Sequence, residues 1–262
     1  MIKAKKSLGQ NFLIDKNIIN KIVNIGNIST DNHVLEIGPG TGNLTEFILK
    51  KNPKKFFVIE KDKNLSNLLD KKFKNQIKII NKDILDVSEN LISKDELIVF
   101  GNLPYNISTQ ILSKWITTYT KKRWFKSFIL MFQKEVADRI LAETNTKKYG
   151  RLTILANWKL NIEKIIDISP SCFFPRPKIK SSLLKFTPKK NFFKLKNPKN
   201  LELITRVFFN QRRKKIKKPF NQIFKNSKPY IEKLNINLNL RPQNLPPETY
   251  YLIVREYENL RR

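Results

Sequence analysis

Short apolar runs alternate with amphipathic stretches between residues 34 and 132, and this alternation constrains the fold more than any other feature. The predicted strands are Val34–Ile37, Phe56–Ile59, Ile77–Ile80, Leu97–Phe100 and Phe128–Phe132. Between them, apolar residues recur at helical spacing, and these are predicted core positions: Leu44, Phe47, Ile48, Leu65, Leu68, Leu69, Ile111, Leu112, Trp115 and Ile116. Because strands and helices alternate, we predict an α/β fold with a parallel sheet wound with helices.

The composition of the chain changes after Thr187-Pro188. Two further strands are predicted before that point, at Ile162–Ile168 and Ser181–Phe186, whereas Lys, Asn and Pro with helical stretches dominate after it. We therefore predict a first domain at residues 1–187 and a small all-α domain at residues 188–262. Positive charge is denser in the second.

The charge of the chain predicts a polyanionic partner. The sequence has 52 Lys+Arg against 22 Asp+Glu, a formal net charge of +30. Nucleic acid and anionic membrane surfaces both fit this excess, but apolar runs such as Phe128–Phe132 are far shorter than the ~20 residues of a membrane-spanning helix. Since the basic start of the chain has no apolar stretch after it, we also expect no secretory signal and a cytoplasmic location.

Cysteine and histidine are too scarce for a metal centre. Cys172 and His33 are the single residues of their types, which excludes an internal disulfide and leaves a zinc site without enough ligands. We expect Cys172 to be a small buried apolar residue. We expect His33 to be an edge or loop residue rather than a catalytic base.

A glycine-rich loop predicts a site for a nucleoside cofactor. Glu36-Ile37-Gly38-Pro39-Gly40-Thr41-Gly42 closes the first predicted strand and opens a helix. Glu60 follows the second strand, where a carboxylate binds ribose hydroxyls, and Asp83 follows the third, where it could accept a hydrogen bond from an adenine amino group. A dinucleotide and S-adenosylmethionine both remain possible. The spacing of the third glycine and the leading Glu36 favour S-adenosylmethionine.

The fourth strand ends in Asn102-Leu103-Pro104-Tyr105, which suits an amino group on a flat ring. The amide oxygen of Asn102 and the carbonyl of Leu103 accept hydrogen bonds, Pro104 fixes its own φ, and Tyr105 presents a face for stacking. A purely structural turn is the alternative for these residues taken alone.

Several motifs, taken together and in order, resemble the ribosomal RNA adenine N6,N6-dimethyltransferase family, and most closely its small-subunit branch. The resemblance runs nearly end to end. Besides the glycine loop it rests on residues 7–13 (SLGQNFL), 102–108 (NLPYNIS), 149–152 (YGRL), 173–178 (FFPRPK) and 211–214 (QRRK). It implies a Rossmann-like S-adenosylmethionine-dependent methyltransferase sheet that dimethylates two adjacent adenines in the 3′-terminal hairpin of small-subunit rRNA during ribosome biogenesis.

The resemblance also implies roles for individual residues. The cofactor contacts would be Asn11, Leu13, Gly38, Glu60, Asp83 and Asn102. As a mechanistic hypothesis of our own, the catalytic residues are Asn102, Leu103, Pro104, Tyr105 and Phe173, with Tyr105 and Phe173 stacking on the flipped target base. We expect Phe174 to be a core aromatic instead.

A basic segment in the second predicted domain is interpreted as a phosphate contact. Its cations are Arg212, Arg213, Lys214, Lys215, Lys217 and Lys218. A soluble basic surface without function is the alternative. The expected partner is small-subunit rRNA within an assembling ribosomal particle.

Three alternative functions remain open from the sequence. One is dimethylation of large-subunit rRNA, against which residues 211–214 argue. The second is a non-catalytic ribosome-assembly or transcription accessory factor on the same fold. The third is DNA adenine methylation.

Overall fold

The structure is a computed structural model that describes residues 4–5, 8–88, 92–118 and 124–261. Ser7, the first residue of the leading motif, lies outside the described residues. The chain falls into two compact units. The first comprises residues 1–114, 119–137 and 161–188, and the second comprises residues 115–118, 138–160 and 189–262.

The described residues form strands and helices in alternation, as the pattern predicted. The strands are β1 (Phe12–Leu13), β2 (His33–Ile37), β3 (Lys55–Ile59), β4 (Lys78–Ile80), β5 (Leu97–Asn102), β6 (Phe125–Gln133), β7 (Leu160–Ile168), β8 (Phe173–Phe174) and β9 (Ser181–Pro188). The helices are α1 (Lys16–Ile25), α2 (Asn43–Leu49), α3 (Lys63–Phe73), α4 (Ser108–Thr118), α5 (Lys134–Ile140), α6 (Arg151–Lys159), α7 (Pro198–Phe209), α8 (Lys217–Ile223), α9 (Lys228–Leu234) and α10 (Pro247–Leu260). All seven predicted strands are confirmed, with ends that coincide with the prediction or are shifted by at most three residues.

A seven-stranded sheet has the order β4-β3-β2-β5-β6-β9-β7. The five strands from β4 to β6 are parallel, and β9 pairs antiparallel with β6. The chain moves outward from β2 to β3 and β4 and then returns to the other side of β2 as β5. This reversal makes the carboxyl ends of β2 and β5 the switch point at which sheets of this class bind ligands.

The predicted helical stripes are core positions. Eight of their ten positions are buried, and Phe47 and Leu68 are half-buried. Every residue of β2 is buried because helices cover both faces of a doubly wound sheet. Within the described residues, no helix is long and apolar enough to cross a membrane.

The prediction for His33 was wrong, whereas that for Cys172 is confirmed. His33 is the first residue of the central strand β2 and is 3% exposed, because β3 and β5 flank it on either side. Its Nδ1 lies 2.7 Å from Ser93 Oγ and its Nε2 lies 3.4 Å from Asp95 Oδ2. Cys172 is buried. No group of three or more possible metal ligands occurs in the part of the chain that the structure describes.

Candidate cofactor and substrate site

The glycine loop turns the chain tightly between β2 and α2. Gly38, Gly40 and Gly42 all have positive φ values, of 64°, 58° and 79°. The Gly38 N–H donates to the carbonyl of Ile59 at 2.9 Å, which ties the loop to the end of β3. A Cβ atom on Gly40 would lie 2.6 Å from the Phe12 ring, so only glycine fits there.

Glu60 closes the loop from the end of β3. One of its carboxylate oxygens accepts the Gly40 N–H at 3.2 Å and the other accepts the Asp62 N–H at 2.8 Å. Burial raises the pKa of Glu60, and these two N–H donors oppose the rise. Each carboxylate oxygen keeps a further lone pair, which suits hydroxyl donors such as those of a ribose.

Asp83 lies at the end of β4 and is held in a fixed orientation. Its Oδ1 accepts the Leu85 N–H at 2.9 Å, and its Oδ2 pairs with Lys61 Nζ at 2.7 Å. The hydrogen bond from Lys61 is the main reason that the pKa of Asp83 is lowered. The carboxylate therefore stays ionised and available as an acceptor beside the groove.

Glu36 is a buried acid beneath the loop. It is 2% exposed and accepts a hydrogen bond from Thr45 Oγ1 at 2.7 Å. Burial is the largest cause that raises its pKa, to about 8, and the nearby charge of Glu60 adds to the rise. At neutral pH Glu36 is therefore mostly protonated.

The segment before α1 covers the loop and is fixed at both ends. Lys5 Nζ lies 2.8 Å from Asp62 Oδ2, and Gln10 Nε2 donates to the same oxygen at 3.3 Å. At the other end, the carbonyl of Leu13 accepts a hydrogen bond from Asn43 Nδ2 at 2.8 Å. These contacts hold residues 8–13 against α2 and α3.

Asn102 is the last residue of β5, and its side chain contacts the leading segment. Its Nδ2 donates to the main-chain carbonyl of Asn11 at 2.6 Å. Its Oδ1 accepts no hydrogen bond from the described residues and is left as an acceptor. Tyr105, three residues on, is half-buried and its hydroxyl lies 2.5 Å from Ser181 Oγ.

One cavity in the first unit gathers all six residues predicted to contact the cofactor. They come from the leading segment, the glycine loop and the ends of β3, β4 and β5: Asn11, Leu13, Gly38, Glu60, Asp83 and Asn102. Pro104 of the predicted catalytic group also lines this cavity. Leu103 is 1% exposed, and the acceptor role predicted for its main-chain carbonyl stays a prediction.

The burial of the two phenylalanines of β8 is the reverse of what we expected: Phe173 is in the core and Phe174 is on the surface. Phe173 is 2% exposed and belongs to the main hydrophobic core, whereas Phe174 is 61% exposed. Successive side chains of a strand point to opposite faces, so burial of one exposes the other. The prediction that Phe174 is a core aromatic was wrong. The stacking role predicted for Phe173 requires its ring to be uncovered, and it stays a prediction.

The basic segment is a turn in the second unit that continues into α8. Its Arg213, Lys214, Lys217 and Lys218 are exposed. The buried side chain of Ile216 anchors the turn, and Ile216 donates its N–H to the carbonyl of Leu240 at 2.8 Å.

Two of the six predicted phosphate contacts already have partners within the second unit. Arg212 donates from Nε to Gln243 Oε1 and from a terminal nitrogen to the carbonyl of Thr146, both at 3.1 Å. Lys215 Nζ donates to Asn239 Oδ1 at 2.9 Å. Arg212 therefore connects three separate stretches of chain. Lys215 is exposed but paired, whereas Arg213, Lys214, Lys217 and Lys218 are exposed and available to an anion.

Sequence reasoning missed the residues that hold the leading segment. Asp62 precedes α3 and accepts the Asn64 N–H, so its role as a helix N-cap was detectable from its type and position. Its contacts with Lys5 and Gln10 were not detectable, because they join residues more than fifty positions apart.

The whole chain is similar to a known family. The family model for ribosomal RNA adenine dimethylase matches residues 1–259. A protein from Pelagibacter ubique (strain HTCC1062), named ribosomal RNA small subunit methyltransferase A, is 65% identical over 260 residues and 99% of each chain. A protein of the same name from Ehrlichia ruminantium (strain Gardel) is 44% identical over 251 residues and 94% of each chain.

Two solved structures share the fold. A dimethyladenosine transferase from Plasmodium falciparum superposes with a TM-score of 0.80 at 26% identity, covering 95% of this chain and 98% of that one. The 23S rRNA methyltransferase ErmE superposes with a TM-score of 0.67 at 21% identity, covering 96% of this chain and 100% of that one. The second likeness concerns the fold alone.

Proposed function

Because this chain belongs to the ribosomal RNA adenine dimethylase family, we propose that it dimethylates N6 of two adjacent adenines in the 3′-terminal hairpin of small-subunit rRNA. The observation that carries the proposal is the 65% identity, over 99% of both chains, to a protein named as the small-subunit enzyme. Large-subunit methylation is not favoured, since its support here is a likeness of fold at 21% identity.

S-adenosylmethionine is the methyl donor of this family, and the cavity fits it. Glycine is required at Gly40 by the close approach of Phe12, and Glu60 is buried with oxygens still able to accept hydroxyl protons. Glu60 would bind the ribose, and Asp83 would accept a hydrogen bond from the adenine amino group. Gly38 and the leading segment would contact the rest of the cofactor. When bound, S-adenosylmethionine supplies an electrophilic methyl group.

The chemistry of the protein's own residues is positioning and hydrogen-bond acceptance. The lone pair of an adenine N6 is delocalised into its ring, and acceptors on its N–H groups return electron density to the nitrogen. Asn102 Oδ1 is such an acceptor because the Asn11 carbonyl holds the Nδ2 end of the same amide. The Leu103 carbonyl is the second. Tyr105 would support the base from one face.

No strong base is required for the transfer. When N6 gains a methyl group, it becomes cationic and its proton becomes far more acidic, so water takes that proton. The amine still has one N–H after the first transfer, so only one of the two acceptors is engaged in the second. The pocket must therefore let the amine rotate and accommodate one methyl group.

The proposed partner is the assembling small ribosomal subunit, and the proposed location is the cytoplasm. The net charge of +30 and the exposed cations of the basic segment support contact with a long polyanion. Base specificity would come from the site at β5 rather than from these cations.

The decisive experiment is mass spectrometry of small-subunit rRNA from cells with and without this gene. We expect two adjacent N6,N6-dimethyladenosines to disappear in the deletion strain and to return with the parent gene but not with Asn102→Ala. Unchanged small-subunit rRNA in the deletion strain, or loss of a mark from large-subunit rRNA instead, would refute the proposal.

A further inference from the structure

Exposed apolar side chains concentrate around the short ribbon of β1 and β8. Among the described residues, four large apolar side chains are exposed, and three of them belong to this region: Phe174 at 61%, Ile14 at 49% and Ile179 at 43%. Ile14 directly follows β1 and donates its N–H to the carbonyl of Cys172, just before β8. Ile14 and Phe174 therefore lie on the same short ribbon, and exposed apolar side chains that lie together favour a contact with another molecule.

The pairing of the ribbon places Phe174 one strand away from the residues that line the cofactor cavity. Phe12 pairs with Phe174, and Leu13 pairs with Phe173. Directly opposed residues of an antiparallel pair share a face, with Cβ atoms about 5 Å apart. Phe12 and Leu13 both line the cavity, so their partners on β8 lie one strand further out from it. Of these two partners, Phe173 is buried and Phe174 is the exposed ring.

Cations follow Phe174 along the chain. Arg176, Lys178 and Lys180 are all exposed, and none of them forms an ion pair with the described residues. No Asp or Glu occurs between residues 170 and 180. An exposed ring beside unpaired cations matches the way proteins bind single-stranded nucleic acid, with rings for the bases and cations for the phosphates.

We propose that Phe174 stacks on a base next to the target adenine, while Arg176 and Lys178 neutralise the phosphates of the same strand. This proposal rests on the proposed function and adds a nucleotide-binding subsite outside the catalytic residues. RNA is favoured over an apolar protein partner because the surface combines its ring with a run of cations that lacks any acid. Ile14 and Ile179 would pack against the edges of the stacked nucleotide.

The subsite is physically suited to a two-step reaction on adjacent adenines. When one adenine is flipped into the site, its neighbour loses a stacking partner. In this proposal the exposed ring of Phe174, one strand out from the cavity, replaces that partner. The contribution of such a ring to binding corresponds to roughly tenfold in affinity.

The test uses the full-length protein and small ribosomal subunits purified from cells that lack the dimethylation. We expect Phe174→Ala to raise the KM for these subunits about tenfold, with kcat and the Kd for S-adenosylmethionine unchanged. Phe174→Tyr should restore the KM. Leu260→Ala, which removes an exposed apolar side chain of the second unit, and Lys71→Gln on α3 are the matched controls and should match the parent.

A spectroscopic readout identifies the occupant of the surface. The probe is the terminal hairpin RNA with 2-aminopurine beside the target adenines, whose fluorescence is quenched on stacking. We expect the parent and Phe174→Tyr to quench it and Phe174→Ala to lose the quenching. Arg176→Gln combined with Lys178→Gln should weaken hairpin binding and lower its salt dependence.

Each outcome separates the subsite from the function. If the parent methylates the subunits and Phe174→Ala has the parent's KM and quenching, the subsite is refuted while the function stands. If Phe174→Ala raises the KM but leaves the quenching intact, the ring contacts another component of the particle and the proposal is also refuted. If the parent does not methylate the subunits, the proposed function itself fails.

Discussion

The side-chain amide of Asn102 donates a 2.6 Å hydrogen bond to the main-chain carbonyl of Asn11, a residue 91 positions earlier. Asn102 ends β5, and Asn11 lies in the segment that covers the glycine loop. One hydrogen bond therefore joins Asn102, the predicted acceptor for the target amine, to Asn11, a predicted cofactor contact. Asn11 sets which end of the Asn102 amide remains available as an acceptor.

The first prediction concerns Asn102→Ala. Removing the amide deletes an acceptor for the adenine N–H, and we expect methyl transfer to fall by about a hundredfold or more. Binding of S-adenosylmethionine should persist, because Glu60, Asp83 and the glycine loop remain. A radiolabel transfer assay and calorimetry of cofactor binding measure the two effects. Unchanged turnover would remove the assignment.

The second prediction concerns Asp62→Asn. Asp62 is 5% exposed and its carboxylate is the shared acceptor for Lys5 and Gln10. Burial opposes ionisation of Asp62, but hydrogen bonds from Lys5, Asn64 and Gln10 outweigh it and lower its pKa. We expect the neutral amide to loosen the leading segment and to raise the Kd for the cofactor about tenfold, a loss of about 1.4 kcal/mol.

Asp70→Asn is the matched control for Asp62→Asn, since Asp70 is an exposed acid on α3, the helix that Asp62 caps. Lys5→Gln should reproduce part of the effect of Asp62→Asn, because it removes one of the two tethers. Equal cofactor affinities for the Asp62 and Asp70 variants would contradict the role of this contact.

The third prediction concerns the pH dependence of stability through Glu36. Its pKa is about 8 in the folded protein against 4.5 as the reference value, so between these limits the folded state holds a proton that the unfolded state has lost. Stability therefore falls as pH rises through this window, by at most about 1.4 kcal/mol per pH unit from this group.

Glu36→Gln removes that titration while keeping the size of the side chain. Urea denaturation measures the free energy of unfolding of both proteins. We expect that of the variant to increase relative to that of the parent as the pH rises from about 5 to about 8. Comparing the two proteins cancels the contribution of the many other charges. Parallel pH profiles would show that Glu36 is ionised in the folded protein.

Local patterns were enough to predict the sheet and the cofactor groove. The five parallel strands and the glycine loop follow from apolar periodicity and from glycine at positions with positive φ. Because the ends of parallel strands meet at one edge, Glu60, Asp83 and Asn102 could be placed together from sequence spacing. The division at residue 188 stays a prediction, although residues 138–160 group with the C-terminal helices by contact.

Long-range packing was beyond sequence reasoning. His33 precedes the strand predicted from the sequence at Val34–Ile37. Nothing in the neighbouring residues reveals that β2 begins at His33 and that β3 and β5 flank this residue. In the same way, the sequence predicts that Phe173 and Phe174 point to opposite faces of a strand. Which of the two is buried depends on the pairing of β8 with β1. The tethers of Asp62 are of the same kind.

The fourth prediction concerns the basic segment. Replacing Arg213, Lys214, Lys217 and Lys218 with Gln should weaken binding to unmethylated small subunits. The slope of log affinity against log salt should fall by about 0.7 to 0.9 for each phosphate that the protein no longer neutralises. Filter binding at several KCl concentrations gives the slope.

Arg212→Ala serves as a contrast within the same segment. Because Arg212 holds Gln243 and the Thr146 carbonyl, we expect it to lower the melting temperature, whereas replacement of the four exposed cations should not. If the slope of log affinity against log salt is the same in the fourfold variant and the parent, the basic segment does not contact phosphates and is a solvated surface.

The fifth prediction separates the two roles of Phe173. Its ring packs in the core, and β8 pairs with β1 over two residue pairs, so stacking of this ring on a flipped base requires the ribbon to move. Phe173→Leu keeps an apolar side chain in the core and removes the ring, and we expect a loss of about 1 kcal/mol in stability. If the ring stacks on the flipped adenine, kcat on small subunits falls about tenfold while the cofactor Kd is unchanged.

Because Phe174 is exposed and expected to act through KM, a kcat effect confined to Phe173→Leu assigns stacking on the target base to Phe173. A variant that loses stability but keeps the parent's kcat would make Phe173 a core residue alone.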